Sequence, residues 1–380
     1  MLLETRTVAV SRSLLALSSL VLACSEPSAS SPPQDGDAGS GGTGGSGATG
    51  GSGATGGSSG GSGGGGGGSS GSGATGGTGG ASGTGGAAPA ICPEGASYGA
   101  PVPAGTTVEP VQGGYHFLEG PTWFAERGVL LFSDMDFSTG GADNVPQSTV
   151  HQLTPPSTFV PLLTGLGSNG LAVAPDGSLV ACTHDTRSVS RFDVGTKMRT
   201  PIVETYEGMK FNSPNDAVVR SDGTIYFTDP DWQLGNRTRE ITFKGVYRVP
   251  LGGAAALVAD DFSSPNGIAL SPDEATLYVT DDGTGAVRSY AVATNGSTSG
   301  GDPLATISGA DGMAVDCAGN LYVTSHEGIR VLDASGDDIV TIAVPQKPNN
   351  CAFGGEDRKT LFIAGRDTLY AIRLEVPGLP

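Results

Sequence analysis

Six polar residues recur along the chain at nearly even spacing, and their side-chain oxygen atoms are of the kind that binds hard cations. Successive members lie 50, 46, 51, 45 and 39 residues apart, and each stands at the start of a short apolar run. They are Glu119, Asn169, Asn215, Asn266, Asp311 and Asn350. Carboxylate and amide oxygens suit Ca²⁺ best, with Mg²⁺, Mn²⁺ and Zn²⁺ as alternatives. If the fold brings these residues together, they form a cage for one divalent cation.

Each of these positions, taken alone, has a purely structural explanation. Asn-Gly and Asp-Gly are ordinary turn dipeptides, and Asn tolerates the backbone angles that loops require. The same class of residue at the same phase of six successive segments is harder to explain by turns. The recurrence therefore favours the cage.

The segments that follow these residues share one pattern, which the third copy shows most fully. An apolar run at 217–219 leads through Ser-Asp-Gly at 221–223 to an aromatic run at 225–229. An Asp-Gly turn between two such runs predicts a β-hairpin. Hairpins that recur every 40–50 residues or so are typical of β-propeller blades, so six copies predict six blades.

Further strand candidates lie between the hairpins, at 149–153, 189–193, 245–249, 286–291 and 328–333. They fit the outer strands of four-stranded blades, and no amphipathic helix pattern of useful length is present. The sequence therefore predicts an all-β fold, a six-bladed β-propeller over residues 90–380. Its innermost strands would line a central channel, and the six polar residues would converge at one mouth of that channel.

Residues 1–24 have the features of a bacterial lipoprotein signal peptide. Arg6 and Arg12 flank an apolar core at 14–23, which is too short to span a bilayer. The core ends in Val-Leu-Ala-Cys, where Cys24 would be lipidated and become the mature N-terminus. The alternative is an ordinary signal peptide cleaved nearby, but a Cys directly after the small residue favours lipidation.

Residues 25–88 form a Gly/Ser-rich linker that we expect to be disordered. After Asp37 the linker carries no charge, and it has almost nothing to bury. Gly/Ser chains behave as flexible tethers. Signal and linker together predict an exported domain on the outer membrane or cell surface of a bacterium, in contact with the membrane only through a lipid anchor.

The charge balance argues against one class of partner. The chain has 20 basic and 38 acidic residues, for a net charge of −18. Nucleic-acid binding needs a basic footprint, which this composition does not supply. The acidic residues are spread along the chain, which indicates solubility rather than a partner, and we expect a monomer.

Four cysteines accompany Cys24, at positions 92, 182, 317 and 351. An even number in an exported protein permits disulfides, with three connectivities. The spacings are too wide for a zinc ribbon. Cys182 lies in an apolar strand, so a free buried thiol is the alternative to a disulfide at this position.

Four segments resemble the motifs of the gluconolactonase/regucalcin (senescence marker protein) family. They are 118–123 (Leu-Glu-Gly-Pro-Thr-Trp), 213–216 (Ser-Pro-Asn-Asp), 264–269 (Ser-Pro-Asn-Gly-Ile-Ala) and 310–313 (Ala-Asp-Gly-Met). The stretch from Asn-Gly-Leu at 169–171 to Ala-Cys-Thr-His at 181–184 is similar to the bacterial gluconolactonase branch. The resemblance covers residues 110–375 in order. It implies a six-bladed propeller with one divalent cation at the channel mouth.

The resemblance also implies roles for single residues. Glu119, Asn266 and Asp311 match metal ligands of the family, and Asp311 also matches its general base. Asn215 matches an Asn that binds metal in some members and substrate in others. Asn169 falls where a polar residue contacts substrate. Asn350 has no consistent family role to carry over.

Lactone hydrolysis needs a polarised carbonyl, a nucleophilic water and support for the tetrahedral oxyanion. The cation would polarise the carbonyl and support the oxyanion, and Asp311 would accept the proton of the water. His184 and Arg187 lie in the segment 183–187 (Thr-His-Asp-Thr-Arg), where they would bind substrate at the pocket rim. The alternative is a surface turn in which Arg187 pairs with Asp185.

The sequence thus predicts a metal-dependent hydrolase that opens a sugar lactone such as gluconolactone. Phosphotriester hydrolysis at the same cation site is the rival chemistry, since fold does not fix function. A third hypothesis is a non-catalytic surface propeller that binds calcium, a glycan or another protein. The four candidate ligands argue against that role, because a structural ring could fill its channel with apolar side chains.

Overall fold

Six four-stranded antiparallel sheets make up the structure, a computed structural model that describes residues 92–93 and 95–379. The predicted signal peptide (1–24) and linker (25–88) lie outside the described residues. Strand β1 spans Glu109–Gly113. The first sheet comprises β2 (Leu118–Phe124), β3 (Val129–Asp136), β4 (Gln147–Thr154) and β5 (Thr158–Leu166). The second comprises β6 (Ser168–Val173), β7 (Leu179–Thr183), β8 (Ser188–Phe192) and β9 (Arg199–Val203).

A short hairpin, β10 (Thr205–Tyr206) and β11 (Met209–Lys210), leads into the remaining sheets. The third sheet comprises β12 (Ala217–Val219), β13 (Ile225–Asp229), β14 (Gly245–Val249) and β15 (Ala256–Ala259). The fourth comprises β16 (Pro265–Leu270), β17 (Thr276–Asp281), β18 (Ala286–Val292) and β19 (Thr298–Thr306). The fifth comprises β20 (Met313–Val315), β21 (Leu321–Ser325), β22 (Gly328–Leu332) and β23 (Asp338–Ile342). The last contains β24 (Asn350–Gly354), β25 (Thr360–Ala364) and β26 (Thr368–Arg373).

The last sheet takes its outer strand from the start of the described chain. Its order is β24-β25-β26-β1, so the N-terminal strand pairs with the C-terminal one. This pairing closes the ring of sheets and covers an edge that would otherwise be open. The predicted six-bladed β-propeller is confirmed, and within the described residues the helical elements are two 3₁₀ turns, Ala125–Arg127 and Phe137–Thr139.

Six hydrophobic clusters hold the blades together, and each combines residues from two neighbouring sheets. Between the second and third blades, Cys182 and Val189 pack with Phe227 and Tyr247. Between the last and first, Phe362 packs with Leu118 and Trp123, which completes the circle of shared cores. Strands shared in this way are buried on both faces, and this explains why the second strand of each blade is a continuous apolar run.

The cysteines form one disulfide, between Cys92 and Cys317. Cys182 and Cys351 are buried thiols in blades 2 and 6, so the alternative of a free buried Cys182 is confirmed. None of the described residues belongs to a helix long and apolar enough to cross a membrane.

Candidate functional site

The six recurring polar residues all lie where the inner strand of a blade begins. Four of them are within the first two residues of that strand, and the other two, Asn215 and Asp311, stand two residues before it. All six residues are buried, and none has more than 8% of its surface exposed. Side-chain hydrogen bonds join Asn266 to Asp311 and Asn350 to Glu119. Because the blades close into a circle, the six residues surround one channel and are called here the polar ring.

Glycines that follow the ring residues allow adjacent inner strands to approach closely. A Cβ on Gly267 would lie 2.4 Å from the carbonyl oxygen of Asp311, and one on Gly312 would lie 2.2 Å from Cγ of Asn350. Neither glycine has a positive φ, so their role is space rather than turn geometry. The Asn-Gly and Asp-Gly dipeptides are therefore explained by packing between blades.

Hydroxyl groups on the second strands fix the backbone of the ring. The same arrangement joins four pairs of neighbouring blades, with a Ser or Thr hydroxyl donating to a carbonyl of the next inner strand. These bonds are Ser133 to Asn169 (2.7 Å), Thr228 to Asn266 (2.7 Å), Thr280 to Asp311 (2.7 Å) and Thr324 to Asn349 (3.0 Å). Sequence reasoning missed these residues, although the repeated Thr at the end of the aromatic strand was a visible signal.

Asp311 is held at both carboxylate oxygens. Nδ2 of Asn266 donates to Oδ1 over 2.5 Å, and the ammonium of Lys347 lies 3.3 Å from Oδ2. Burial raises the pKa of Asp311 to about 7, although Lys347 opposes this rise and the nearby charge of Asp282 adds to it. The ring therefore contains a carboxylate that titrates near neutral pH.

Across the ring, Glu119 and Asp216 share one amide. Nδ2 of Asn350 lies 3.5 Å from Oε2 of Glu119 and 3.3 Å from Oδ2 of Asp216. Burial raises the pKa of Glu119 well above its ordinary value, and the charges of Asp311 and Asp216 raise it further. Burial also raises the pKa of Asp216 to about 6. Asp216 is a carboxylate of the site that sequence reasoning did not single out.

This donor set fits a hard divalent cation. Two buried carboxylates that repel one another, together with amide oxygens, gain most from a positive ion placed between them. The side chain of Asn215 makes no hydrogen bond to another described residue, so its amide oxygen is free to act as a ligand. No three His, Cys, Asp or Glu side chains of the described chain are clustered tightly enough to hold a metal by themselves. The amides of Asn215 and Asn266 would therefore have to contribute.

Residues 117–366 match the family model described as SMP-30/Gluconolactonase/LRE-like region. The chain belongs to this family. It is 32% identical over 295 residues to the gluconolactonase of Zymomonas mobilis, an alignment that covers 72% of this chain and 83% of that protein. A gluconolactonase structure from Xanthomonas campestris superposes with a TM-score of 0.64 at 29% identity, over 73% of this chain and 99% of that one. The regucalcin structure from Agrobacterium tumefaciens, at 19% identity and a TM-score of 0.61, covers 72% and 96% and shows a likeness of fold.

In this SMP-30/gluconolactonase family member, His184 is enclosed between loops. Its side chain is fully buried, and Nε2 lies 2.9 Å from the carbonyl oxygen of Pro146. Nδ1 has no partner, and burial lowers the pKa of His184 to about 4, so the imidazole is neutral at physiological pH. None of its hydrogen bonds reaches a residue of the polar ring.

Arg187 is also buried, and its guanidinium braces the loops between blades 2 and 3. Nε donates to the carbonyl oxygen of Phe211 over 2.5 Å, and Nη1 lies 3.1 Å from Glu240. Asp185 pairs with Arg199 at 2.8 Å rather than with Arg187, so the simple surface turn considered above is not what forms. The structure brings the six ring residues together and places His184 and Arg187 in supporting contacts outside the ring.

Beneath the polar ring, the central channel opens into a cavity of about 660 Å³. Apolar side chains of the inner strands, such as Leu171, Ile268 and Met313, form much of its wall, and Asp273 and Glu274 are among its polar lining residues. Asp216 and Asn350 form part of its lining, and Asn350 also contacts the ring carboxylate Glu119.

Proposed function

We propose that the protein hydrolyses sugar lactones of the gluconolactone type with the help of one divalent cation, Ca²⁺ in the first place. The observation that carries this proposal is the pair of buried carboxylates, Glu119 and Asp311, in one ring of amide oxygens, with the pKa of Asp311 at about 7. The gluconolactonases of Zymomonas mobilis and Xanthomonas campestris support the substrate class.

Glu119, Asn215, Asn266 and Asp311 are the residues that would hold the cation. When bound, the cation would polarise the lactone carbonyl and stabilise negative charge on its oxygen. The remaining chemistry falls to side chains of this chain, and no covalent intermediate with the protein is required.

Asp311 is the general base of the proposed reaction. Oδ1 is occupied by the amide of Asn266, so Oδ2 is the oxygen that would accept a proton from water as the water attacks the lactone carbonyl carbon. Lys347 now lies against Oδ2, but its side chain is 39% exposed and can turn into solvent. Asp311 is ionised above about pH 7 in the cation-free protein, and a neighbouring cation would extend that range to lower pH.

Asn169 and Asn215 would orient the hydroxyl groups of the sugar lactone. Asn169 is almost fully buried, and its Nδ2 has no hydrogen-bond partner in the protein. A buried amide donor without a partner is costly, so a substrate hydroxyl that accepts its hydrogen bond would be favoured. The opened product would leave as a hydroxy acid.

The test is hydrolysis of glucono-1,5-lactone by the full chain at constant pH, measured by the base needed to neutralise the acid. Spontaneous hydrolysis is subtracted with a protein-free blank. We expect turnover that disappears with chelator and returns with Ca²⁺, and we expect Glu119→Gln to need far more Ca²⁺ for half-maximal rate. Turnover that is unaffected by chelation would reject the cation, and a lack of turnover on all aldonolactones would reject the substrate class.

We also propose that the protein is exported and anchored through lipid on Cys24. The Cys92–Cys317 disulfide supports export, because such bonds persist in oxidising compartments. The location does not alter the chemistry above, since the ring lies wholly within residues 119–350.

A further inference from the structure

Asn350 is a ring residue without an assigned role, and its amide is fixed in one orientation. Its Oδ1 accepts a hydrogen bond from the backbone N–H of Cys351 over 2.8 Å. Because the oxygen is occupied in this way, Nδ2 must face the two carboxylates, Glu119 and Asp216. The side chain is 5% exposed, so water does not replace it easily.

The contact of Asn350 with Glu119 leaves the two oxygens of that carboxylate in different surroundings. Oε2 of Glu119 receives the backbone N–H of Gly120 at 3.2 Å and faces Nδ2 of Asn350 at 3.5 Å. No hydrogen bond to Oε1 is formed by the described residues, so one oxygen of the carboxylate is held and the other is free. Gly312 leaves the space in which the Asn350 side chain rests.

Asn350 also stands between two negative charges. Asp216 receives its own backbone donor, the N–H of Ala217 at 2.9 Å, and shares Nδ2 of Asn350 with Glu119. Without this amide, two buried carboxylates would face one another with no donor between them, which raises the energy of their ionised forms.

We propose that Asn350 is a positioning residue for Glu119. It binds Oε2 and directs Oε1 to the cation, and it shields Glu119 from the charge of Asp216. This assignment rests on the proposed function, because it concerns the cation that Glu119 would hold. In this assignment Asn350 acts on cation binding and has no separate part in the reaction.

The experiment compares Ca²⁺ binding to the full chain and its variants by titration calorimetry after chelation. Asn350→Leu keeps the side-chain volume and removes the donor, and Asn350→Ser removes the bridge with a smaller polar group. Loss of a group that orients a ligand typically weakens metal affinity about 10- to 100-fold. We expect both variants to fall in that range. At saturating Ca²⁺, we expect kcat and KM to return to within about threefold of wild type.

Asn320→Leu is the matched control. Asn320 is a buried amide that donates to Oδ2 of Asp316 over 2.8 Å. Asp316 follows β20 at the end away from Asp311, so the same type of bond is lost outside the polar ring. We expect this variant to melt at a lower temperature and to bind Ca²⁺ as wild type does.

Three outcomes would overturn the assignment. If either Asn350 variant melts cooperatively and binds Ca²⁺ within twofold of wild type, Asn350 does not position Glu119. If saturating Ca²⁺ fails to restore kcat, Asn350 acts on the reaction directly. If the wild-type chain binds no Ca²⁺, the proposed function falls as well, which distinguishes that failure from the first two.

Discussion

Asn266 donates a hydrogen bond from Nδ2 to Oδ1 of Asp311 over 2.5 Å, and this bond joins the inner strands of blades 4 and 5. A second contact between the same strands runs from the backbone N–H of Gly267 to the carbonyl oxygen of Asp311 at 3.2 Å. The carboxylate and its backbone are thus fixed by one neighbouring segment. A base that must meet a water molecule in one geometry benefits from such fixation.

Replacement of Asp311 by Asn should abolish most lactone hydrolysis without unfolding the protein. The variant keeps the shape of the side chain and removes the group that accepts the proton, so we expect kcat to fall about 10²- to 10⁴-fold. Constant-pH titration measures the rate, and circular dichroism with a thermal melt measures the fold. Asp302→Asn, on the exposed outer strand β19, is the control and should retain full activity. Wild-type activity in Asp311→Asn would remove Asp311 as the base.

The sequence predicted those strands whose packing constrains them on both faces. The hairpins and the third strands lie in cores shared by two blades, so their residues must be apolar. The candidates named as outer strands are the third strands, and the fourth strands, which were not predicted, are largely exposed, as in β23, where four of five residues face solvent. The closing strand β1 is exposed too, and contains a Pro and a Gly. Strands that bury little leave no periodic pattern to read.

Some residues of the site could be predicted from the repeat, and others could not. Glu119, Asn266 and Asp311 stand before a glycine that close packing requires, so the repeat marks them. Asp216 occupies the position that is Gly in four other blades, and this departure from the repeat was the available signal. Lys347 reaches Asp311 from a loop 36 residues further on, a proximity that only the closed ring creates.

Stability should fall as pH rises from about 5 to 7 in calcium-free solution, above the range in which the Asp residues of lowered pKa titrate in the unfolded chain. Burial raises the pKa of Asp216 to about 6 and those of Asp229 and Asp311 to about 7, from an ordinary value of 3.8. In this window the folded protein keeps protons that the unfolded chain releases, so the free energy of unfolding decreases with pH. His184, whose pKa is lowered from 6.5 to about 4, opposes this trend by up to one proton between these two values.

Thermal melts in chelator at half-unit steps of pH would measure this effect. We expect a higher Tm at pH 5 than at pH 8, and a shallower decline in Asp229→Asn. Asp229 is suited to this comparison because it accepts the N–H groups of Asn212 and Ser213 at 2.8 and 2.7 Å, bonds that an Asn side chain can partly keep. A Tm that climbs steadily from pH 5 to pH 8 would contradict the prediction.

A methyl group added at Gly267 should destabilise the ring. Its Cβ would lie 2.4 Å from the carbonyl oxygen of Asp311 and 2.8 Å from Cα of Gly312, both of them backbone atoms. Overpacking of this kind typically costs about 1–3 kcal/mol. We therefore expect Gly267→Ala to lower Tm and, because Asp311 is displaced, to lower kcat. Gly99→Ala is the control, since a Cβ there meets nothing within 4 Å and φ is not positive. Equal Tm values for Gly267→Ala and Gly99→Ala would show that the blades can accommodate the added methyl group.

Substitution of Cys24 by Ser should release the protein from the membrane without altering its turnover. Acyl chains on Cys24 would hold the chain in a bilayer, because each buried CH₂ contributes about 0.8 kcal/mol. Expressed in a lipoprotein-processing bacterium, the wild-type chain should incorporate labelled fatty acid and sediment with membranes, whereas Cys24→Ser should do neither. Deletion of residues 25–88 should leave kcat per molecule unchanged, because the ring lies beyond that segment. A wild-type chain that is soluble and carries no fatty acid would reject the anchor and leave the site chemistry to be judged on its own assays.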